Sequence, residues 1–368
     1  MKQLIYLAPV ALNSFEQRPH HFVRWFQQKY DAKVIWIEPG PSRYPKWHDL
    51  KRLAHRSDKF LGPKWALEPW LETVAFFTLP VEPLRVGRKL NRCLRYFALR
   101  KMLQNMGDDA LVVIGKPCDL AIELLELLPH HPAVFDMMDN MSAFSHGAAS
   151  NWMMRAEMVL GQRAQSVWTS SFALEKRAGE LFGPHKVRCV PNGLTPPRSL
   201  VNLSANSGAG APVFGYVGVI AAWFDWEVVL KISSLFPEGE VHLYGPLVVS
   251  LPADLPANVK VFPPIAHAAI YDVISGFSVG LIPFRRNALT DFVDPIKFYE
   301  YRAVGLPVLS TEFGDMCQRA GDPMVLLIDK LITRDALASF IQRRSPPMLV
   351  KDFCEQNSWQ TRFDLIDF

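Results

Sequence analysis

Residues 293–311 read VDPIKFYEYRAVGLPVLST, a pattern that predicts a short helix, a Gly-Leu-Pro turn and an apolar strand. Asp294 suits the N-cap, and Pro295 suits the first helical position, where a missing backbone N–H leaves no hydrogen bond unmade. Lys297 then falls in the first turn, beside free N–H groups and the positive end of the helix dipole. Such a helix start can bind an anion, most naturally a phosphate.

Two further side chains on the same helix extend this prediction. Glu300 and Tyr301 follow Lys297 at i+3 and i+4, so all three share one face of the helix. A cation and a carboxylate one turn apart can hold a pyrophosphate and a ribose diol. The alternative interpretation is a surface helix with an ordinary Lys-Glu pair, and this stretch by itself leaves both open.

The alternation of strand and helix runs through the whole chain. Short apolar runs are predicted to be strands, and in the first half they lie at residues 3–9, 33–39, 74–80, 110–117, 133–139, 166–171 and 186–193. In the second half they lie at residues 213–219, 240–246, 259–265, 279–284 and 307–311. Helical patterns separate the strands, at residues 18–30, 155–164, 225–236 and 268–277. Apolar runs of this length between helices indicate parallel, doubly wound α/β sheets.

The length of 368 residues and the restart of the pattern near residue 213 predict two domains. We expect a Rossmann-like, acceptor-binding domain at residues 1–198 and a small-residue linker at 199–212, the natural hinge for domain closure. A second Rossmann-like domain is expected at 213–350, and a C-terminal helix at 351–368 that packs back on the first domain. Two such domains in tandem are expected to face each other across a cleft, where ligands bind at the carboxyl edges of the sheets.

The composition excludes several classes of protein. The five cysteines are scattered and odd in number, which argues against a disulfide framework or a zinc site and fits a reducing cytoplasm. No apolar run approaches the roughly 20 residues that span a bilayer. The net charge of +4 is modest, so the distribution of charge says more about partners than its sum.

Three loops at predicted strand ends carry candidate donor-binding residues. The stretch PFRRNALTDFVDP, residues 283–295, brings Arg285 and Thr290 together just before the helix, a combination that favours a diphosphate site over a solvated charged loop. Gly218 ends a strand and would let a backbone approach a diphosphate closely. Tyr244 belongs to a strand-end loop of the kind that can cradle a base.

At this point the motifs GYVGVIAAWFDWE, VDPIKFYEYRAVGLPVLST, QRPHHFVRWF and VFDMMDN together resemble bacterial glycosyltransferases of the group 1, or family 4-like, type. These enzymes have the glycosyltransferase B fold, and the similarity is strongest to members that build exopolysaccharides and other surface glycans. Many relatives carry two glutamates about one loop apart. Glu300 matches the second, whereas Asp291 or Asp294 stands only near the first, so retention or inversion at the anomeric carbon is left open.

The resemblance implies a nucleotide-sugar donor in the second domain. Glu300 would accept hydrogen bonds from the ribose hydroxyls, and Lys297 with the helix start would neutralise the pyrophosphate leaving group. These are the roles that a cation and a carboxylate one turn apart can fill. Such enzymes generally need no metal, so we expect no metal site and no cofactor.

The first domain carries candidate catalytic groups at a strand end. In FDMMDN, residues 135–140, Asp139 is our choice for a general base that deprotonates an acceptor hydroxyl, with Asp136 as the second candidate. Asp136 could instead cap the following segment. His20 and His21 point opposite ways on a helix, so at most one contacts a sugar, and His21 is the candidate.

Two strongly basic stretches suit an anionic membrane surface. Residues 43–65 carry seven Lys or Arg and are studded with aromatic residues such as Trp47, and residues 85–103 carry seven and no acid. In the second stretch apolar residues recur at nearly helical spacing, and the membrane-facing candidates among its basic residues are Arg88, Arg92 and Arg95. A helix that packs its apolar stripe on its own domain is the alternative, and a nucleic-acid patch lacks any accompanying motif.

These observations predict a metal-independent glycosyltransferase of the hexosyltransferase type. It would move a sugar from a nucleotide-diphosphate donor, uridine-linked by preference, to a hydroxyl of a lipid-linked or growing surface glycan. It would work in the cytoplasm, peripherally attached to the inner membrane, without nucleic-acid partners. Two alternatives remain open, a nucleotide-sugar epimerase of the same fold and a non-catalytic subunit that binds a glycan or a partner.

Overall fold

A computed structural model describes residues 2–40, 68–79, 84–104, 106–107, 109–197, 210–328 and 332–368. The chain divides into two compact units, the first formed by Met1–Val190 with Ile366–Phe368 and the second by Pro191–Leu365. The second unit therefore begins before the predicted linker and includes most of the C-terminal segment. The linker itself falls largely outside the described residues, as does Trp47 with its basic stretch.

The first unit is built on a parallel sheet with helices in its crossovers. Its strands are β1 (Gln3–Leu7), β2 (Lys33–Ile37), β3 (Leu71–Val74), β4 (Ala110–Ile114), β5 (Ala133–Met137), β6 (Ser166–Thr169) and β7 (Val187–Cys189). Its helices are α1 (Arg18–Tyr30), α2 (Arg85–Leu103), α3 (Asp119–Leu127), α4 (Ala148–Arg163) and α5 (Phe172–Phe182). The described strands have the order β3-β2-β1-β4-β5-β6-β7, so the direction of winding reverses between β1 and β4.

The second unit repeats this plan. Its strands are β8 (Val213–Val217), β9 (Glu240–Tyr244), β10 (Val259–Phe262), β11 (Val279–Ile282), β12 (Val308–Thr311) and β13 (Val325–Ile328). Its helices are α6 (Trp226–Leu235), α7 (Ile270–Ser275), α8 (Ile296–Arg302), α9 (Arg334–Phe340), α10 (Pro347–Gln356) and α11 (Trp359–Asp364). The order β10-β9-β8-β11-β12-β13 places the reversal between β8 and β11.

The two sheets confirm the predicted fold class of two Rossmann-like α/β units. The central strands are buried on both faces, since the side chains of β4 are fully buried and those of β1 nearly so, as the continuous apolar runs require. In the second unit one apolar cluster joins the sheet to α7, α8 and α10, and another joins it to α6 and α9. Helices therefore cover both faces of this sheet.

Two differences from the predicted elements have a clear physical cause. The strand expected at 74–80 lies at Leu71–Val74, and the following residues leave the sheet, where the backbone N–H and C=O of Leu79 pair with the amide of Asn91. The single C-terminal helix is two helices, α10 and α11, because the chain between them pairs with Leu194 through backbone hydrogen bonds. No helix among the described residues is both long and apolar enough to cross a membrane.

Candidate functional site

The reversal point of the second sheet brings Gly218, Lys297 and Glu300 together. Gly218 follows β8, whereas Lys297 and Glu300 lie on α8, which connects β11 to β12. A methyl group added at Gly218 would lie 3.5 Å from Lys297 Cε and 2.6 Å from the buried hydroxyl of Tyr216. A side chain at position 218 would therefore have to displace the ring of Tyr216, so the position requires glycine.

Lys297 and Glu300 form an ion pair at this edge. Lys297 Nζ lies 2.7 Å from Glu300 Oε2, with 22% of the lysine side chain and 9% of the glutamate side chain exposed. The second carboxylate oxygen, Oε1, has no hydrogen-bond partner among the described residues. The charge of Glu300 contributes, after burial, to raising the pKa of Tyr216 and of Tyr271, so both phenols stay neutral around it.

The helix begins differently from the prediction. Asp294 is not the N-cap: α8 begins at Ile296, Pro295 occupies the N-cap without a side-chain hydrogen bond, and the helix has seven residues. So short a helix has little dipole to offer, so the predicted anion site rests on Lys297 alone and stays a prediction.

Asp294 is instead the centre of a buried polar network. Its Oδ1 lies 2.6 Å from Arg319, and its Oδ2 accepts hydrogen bonds from Tyr299 Oη at 2.9 Å and from Asn192 N at 3.0 Å. Burial, followed by the charge of Asp294, raises the pKa of Tyr299, which keeps that hydroxyl a donor. The carboxylate is thus fully committed to structure and cannot contact a donor substrate.

Two other predicted donor-binding residues serve the fold. The ring of Tyr301 fills the space above Gly280, and its hydroxyl accepts from Val217 N and donates to Leu281 O, so this residue is wholly internal. Thr290 is buried, and its hydroxyl donates to Arg285 O at 2.6 Å within its own loop. Both predictions of ligand contact were wrong because these hydroxyl groups are buried and hydrogen-bonded to backbone groups.

Arg285 and Tyr244 keep exposed surface near the same edge. Half of the Arg285 side chain is exposed, and its Nε lies 3.9 Å from Asp225 Oδ1. The half-buried ring of Tyr244 stacks on Phe262 with ring centroids 4.4 Å apart, and its backbone C=O accepts the N–H of Gly218. Their donor-binding roles stay predictions.

At the carboxyl edge of the first sheet, Asp136 and Asp139 have opposite surroundings. Asp136 is buried, paired with Arg18 at 3.0 Å and hydrogen-bonded by Tyr6 Oη at 3.1 Å, so its predicted role as a base was wrong. Asp139 lies beyond the end of β5, and its carboxylate has no hydrogen bond or ion pair within the described parts of the chain. Burial raises the pKa of Asp139 to about 7.

The two adjacent histidines lie in the first turn of α1. His20 is buried, its Nδ1 accepts from Gln17 N, and its other ring nitrogen lies 3.0 Å from Leu12 O, so it supports the loop before the helix. Burial lowers the pKa of His20. His21 is also buried, with 9% of its surface exposed, and its catalytic role stays a prediction. In the part of the chain that is described, no three His, Cys, Asp or Glu side chains are grouped closely enough to hold a metal ion.

Of the membrane-facing candidates, Arg95 was wrongly predicted. The residue is 1% exposed, and its guanidinium donates to both carboxylate oxygens of Glu123, at 2.8 and 2.6 Å. Arg92 is exposed beside Glu126, and Arg88 is partly exposed with its Nε 3.6 Å from Asp119.

At the level of sequence, the chain has a partial match to one curated protein. No protein-family model matches the chain. A curated relative from Bacillus subtilis (strain 168), named "Putative teichuronic acid biosynthesis glycosyltransferase TuaH", is 25% identical over 174 residues. That match covers 42% of this chain and 42% of the relative, less than half of either protein.

Solved structures match along almost the whole length. Sucrose-phosphate synthase from Thermosynechococcus elongatus has a TM-score of 0.66 at 13% identity, covering 98% of this chain and 96% of its own. Anabaena Alr3699/HepE in complex with UDP and glucose has a TM-score of 0.63 at 14% sequence identity. That match covers 99% of this chain and 97% of the other. The lipopolysaccharide outer core galactosyltransferase WaaB has a TM-score of 0.58 at 11% sequence identity. That match covers 99% of this chain and 98% of the other. These likenesses show that the chain has the glycosyltransferase B fold, as the resemblance implied.

The Asp294 network predicts a large effect on stability. Asp294→Asn removes the buried carboxylate charge that pairs with Arg319, whose side chain is 16% exposed, and removing one partner of a buried ion pair costs about 3–5 kcal/mol. We expect the free energy of unfolding, measured by urea denaturation, to fall by that amount. The control Asp291→Asn, which removes an exposed partner of Arg286, should change it by about 1 kcal/mol at most. Equal effects of the two substitutions would contradict the assignment.

Proposed function

We propose that the protein is a metal-independent glycosyltransferase of the hexosyltransferase type. It moves a sugar from a nucleotide-diphosphate donor, in the first instance a UDP-sugar, to a hydroxyl of a lipid-linked or growing surface glycan. The observation that carries this proposal is the juxtaposition of Lys297, Glu300 and side-chain-free Gly218 where the winding of the second sheet reverses. In doubly wound sheets this is the place where nucleotides bind.

The chemistry assigned to the second unit is stabilisation of the leaving group. An oxygen of the acceptor forms a bond to the anomeric carbon of the sugar, and the bond from that carbon to the β-phosphate oxygen breaks. The nucleoside diphosphate leaves with one more negative charge, which the ammonium group of Lys297 neutralises by charge-assisted hydrogen bonds. Because a protein cation supplies this charge, we propose that transfer proceeds without a metal ion.

The similar proteins support this choice of substrate. The Anabaena Alr3699/HepE structures hold UDP, UDP with glucose, or UDP-glucose. The name of the Bacillus relative refers to teichuronic acid biosynthesis, which suggests a surface glycan as the product here. Glu300 is assigned to the ribose hydroxyls because its Oε1 is without a partner among the described residues.

Nucleotide binding tests the donor site directly. We expect isothermal titration calorimetry with UDP, GDP, ADP and TDP to show binding of one of them to the wild-type protein. Lys297→Met keeps the aliphatic stem and removes the charge, so it should weaken that binding about tenfold or more, as the loss of a charged hydrogen bond does. The corresponding nucleotide-sugar should then support transfer that persists in the presence of EDTA.

Lys351→Met provides the matched control, because Lys351 is an exposed lysine that also pairs with a glutamate on its own helix, Glu355. Its affinity should equal that of the wild type. If no nucleotide binds, or if Lys297→Met binds as well as the control, the proposed donor site is wrong. The reading as a non-catalytic binding subunit would then become the stronger one.

In the first unit we propose Asp139 as the general base for the acceptor. The carboxylate takes the proton of the attacking hydroxyl, so it must be ionised before reaction. Because the pKa of Asp139 is raised to about 7, kcat/KM should fall as the pH drops below about 7 and level off above it. Asp139→Asn should abolish this dependence and most of the activity, whereas nucleotide binding should persist.

Protein stability gives an independent measure of the same ionisation. The folded protein holds the proton up to about pH 7 and the unfolded chain releases it near the ordinary value of 3.8, so stability falls as the pH rises through this window. Asp139→Asn should therefore gain thermal stability relative to the wild type between pH 4 and pH 7. The exposed control Glu72→Gln should not, and a pH-independent difference for Asp139→Asn would refute the raised pKa.

We further propose that α2 docks the protein on the anionic inner face of the membrane. The supporting observation is that this helix turns polar residues towards its own unit and apolar residues towards solvent. The face packed on its own unit carries Gly87, Asn91, Arg95 and Leu99, and it is attached largely by the polar contacts of Asn91 with Leu79 and of Arg95 with Glu123.

The outer face of α2 consists of Val86, Leu90, Leu94 and Phe97 and is turned to solvent. Val86 and Phe97 are each 80% exposed, and the two leucines nearly half. The helix carries no acid, and three of its basic residues have no carboxylate partner among the described residues, namely Lys89, Arg100 and Lys101. An apolar stripe flanked by cations matches the chemistry of an anionic lipid surface.

Vesicle flotation tests this docking. The wild type should bind vesicles of equal parts phosphatidylcholine and phosphatidylglycerol, and added salt should weaken the binding because screening reduces the attraction of exposed charges. The double variant Val86→Ser with Phe97→Ser should bind about tenfold more weakly or worse, since each apolar side chain contributes on the order of 1 kcal/mol or more when buried.

Two exposed apolar residues on α10, Met348 and Leu349, form the control when both are changed to Ser. This control should bind vesicles like the wild type. Docking on an anionic surface is excluded if the two double variants behave alike, or if the wild type binds pure phosphatidylcholine vesicles as tightly as the mixed ones.

A further inference from the structure

Lys297 is already paired with a carboxylate in the structure. Its Nζ lies 2.7 Å from Glu300 Oε2, and Glu300 supplies its one described hydrogen bond. The pair is neutral as a whole, so an approaching anion meets a cation whose charge is cancelled at close range. An anion that takes Lys297 must also lie beside the Glu300 carboxylate, which repels it.

A nucleoside diphosphate can resolve this conflict, whereas a bare diphosphate cannot. When Lys297 turns to the diphosphate, the buried Glu300 carboxylate loses its donor, and an unpaired buried charge is costly. A ribose diol offers two O–H donors that replace the lost ammonium. An inorganic diphosphate brings only negative charge and leaves Glu300 without compensation.

We infer that Glu300 is the specificity-determining residue of the donor site, because it releases Lys297 only to a ligand that presents a ribose diol together with a diphosphate. This inference rests on the proposed function and adds the basis of its selectivity. Glu300 thus acts in opposite directions on two ligand classes. It strengthens the binding of nucleoside diphosphates through the diol and weakens the binding of other diphosphates through its charge.

The opposite signs make the inference testable with one substitution. Glu300→Gln keeps the size of the side chain, removes its charge and frees Lys297. We expect inorganic pyrophosphate to bind this variant about tenfold or more tightly than it binds the wild type, as a gained charged hydrogen bond implies. A contact that merely positions α8 would weaken both ligands together.

The diol arm of the experiment uses the nucleoside diphosphate that the wild type binds and its 2′,3′-dideoxy analogue. The wild type should prefer the ribose form by about tenfold, and Glu300→Gln should lose most of that preference, because a neutral amide accepts a weaker hydrogen bond than a carboxylate. Calorimetry measures all four affinities on the full chain, and circular dichroism verifies that the variant is folded.

Glu355→Gln is the matched control, since it removes one negative charge from another Lys-Glu pair, with Lys351. It should leave pyrophosphate binding unchanged. The selectivity inference fails, while the donor site stands, if pyrophosphate binds Glu300→Gln no more tightly than the wild type. It fails equally if Glu355→Gln shows the same gain in pyrophosphate affinity. If the nucleoside diphosphate binds the wild type but Lys297→Met does not weaken it, the donor site itself fails.

Discussion

The buried carboxylate of Asp294 is the constraint on which the candidate donor site depends. It joins three separate pieces of the second unit: the backbone at Asn192, the side chain of Tyr299 on α8 and the side chain of Arg319 after β12. A charge buried this deeply is stable only when every partner is in place. These contacts fix the segment that leads into α8, and they thereby fix where α8 begins.

A second constraint sets how closely α8 approaches the sheet. Gly215 on β8 and Gly280 on β11 are partners in the strand register, and neither position has room for a side chain because the rings of Phe277 and Tyr301 lie against them. Tyr301 then ties the helix to both strands through its hydroxyl. With one face of α8 held in this way, the partly exposed Lys297 and the buried Glu300 are left at the strand ends. Rigid support of this kind preorganises a binding site.

The sequence predicted the architecture well and the individual acids poorly, for a physical reason. Continuous apolar runs report burial on both faces of a sheet, so the bounds of α1 and the position of most strands followed from pattern alone. Whether an acid is structural or chemical depends on partners that are remote in the chain. Asp136 pairs with Arg18 across 118 residues, and Asp294 meets Asn192 across 102. No spacing rule contains that information, and residue type alone made both acids look like site residues.

The same distinction explains which predictions about the basic helix failed. Periodicity located α2 correctly but could not say which face would turn inward, and the usual preference for apolar burial pointed the wrong way. Arg95 is internal because Glu123 on α3 offers two carboxylate oxygens at the right distance. Where a helix is attached to its unit by polar side chains, its apolar residues are released for another surface. In this protein the functional candidates are therefore the side chains that make no hydrogen bond to another element among the described residues. They are Asp139, Lys297 and Glu300, of which the last two pair with each other, and the apolar outer face of α2.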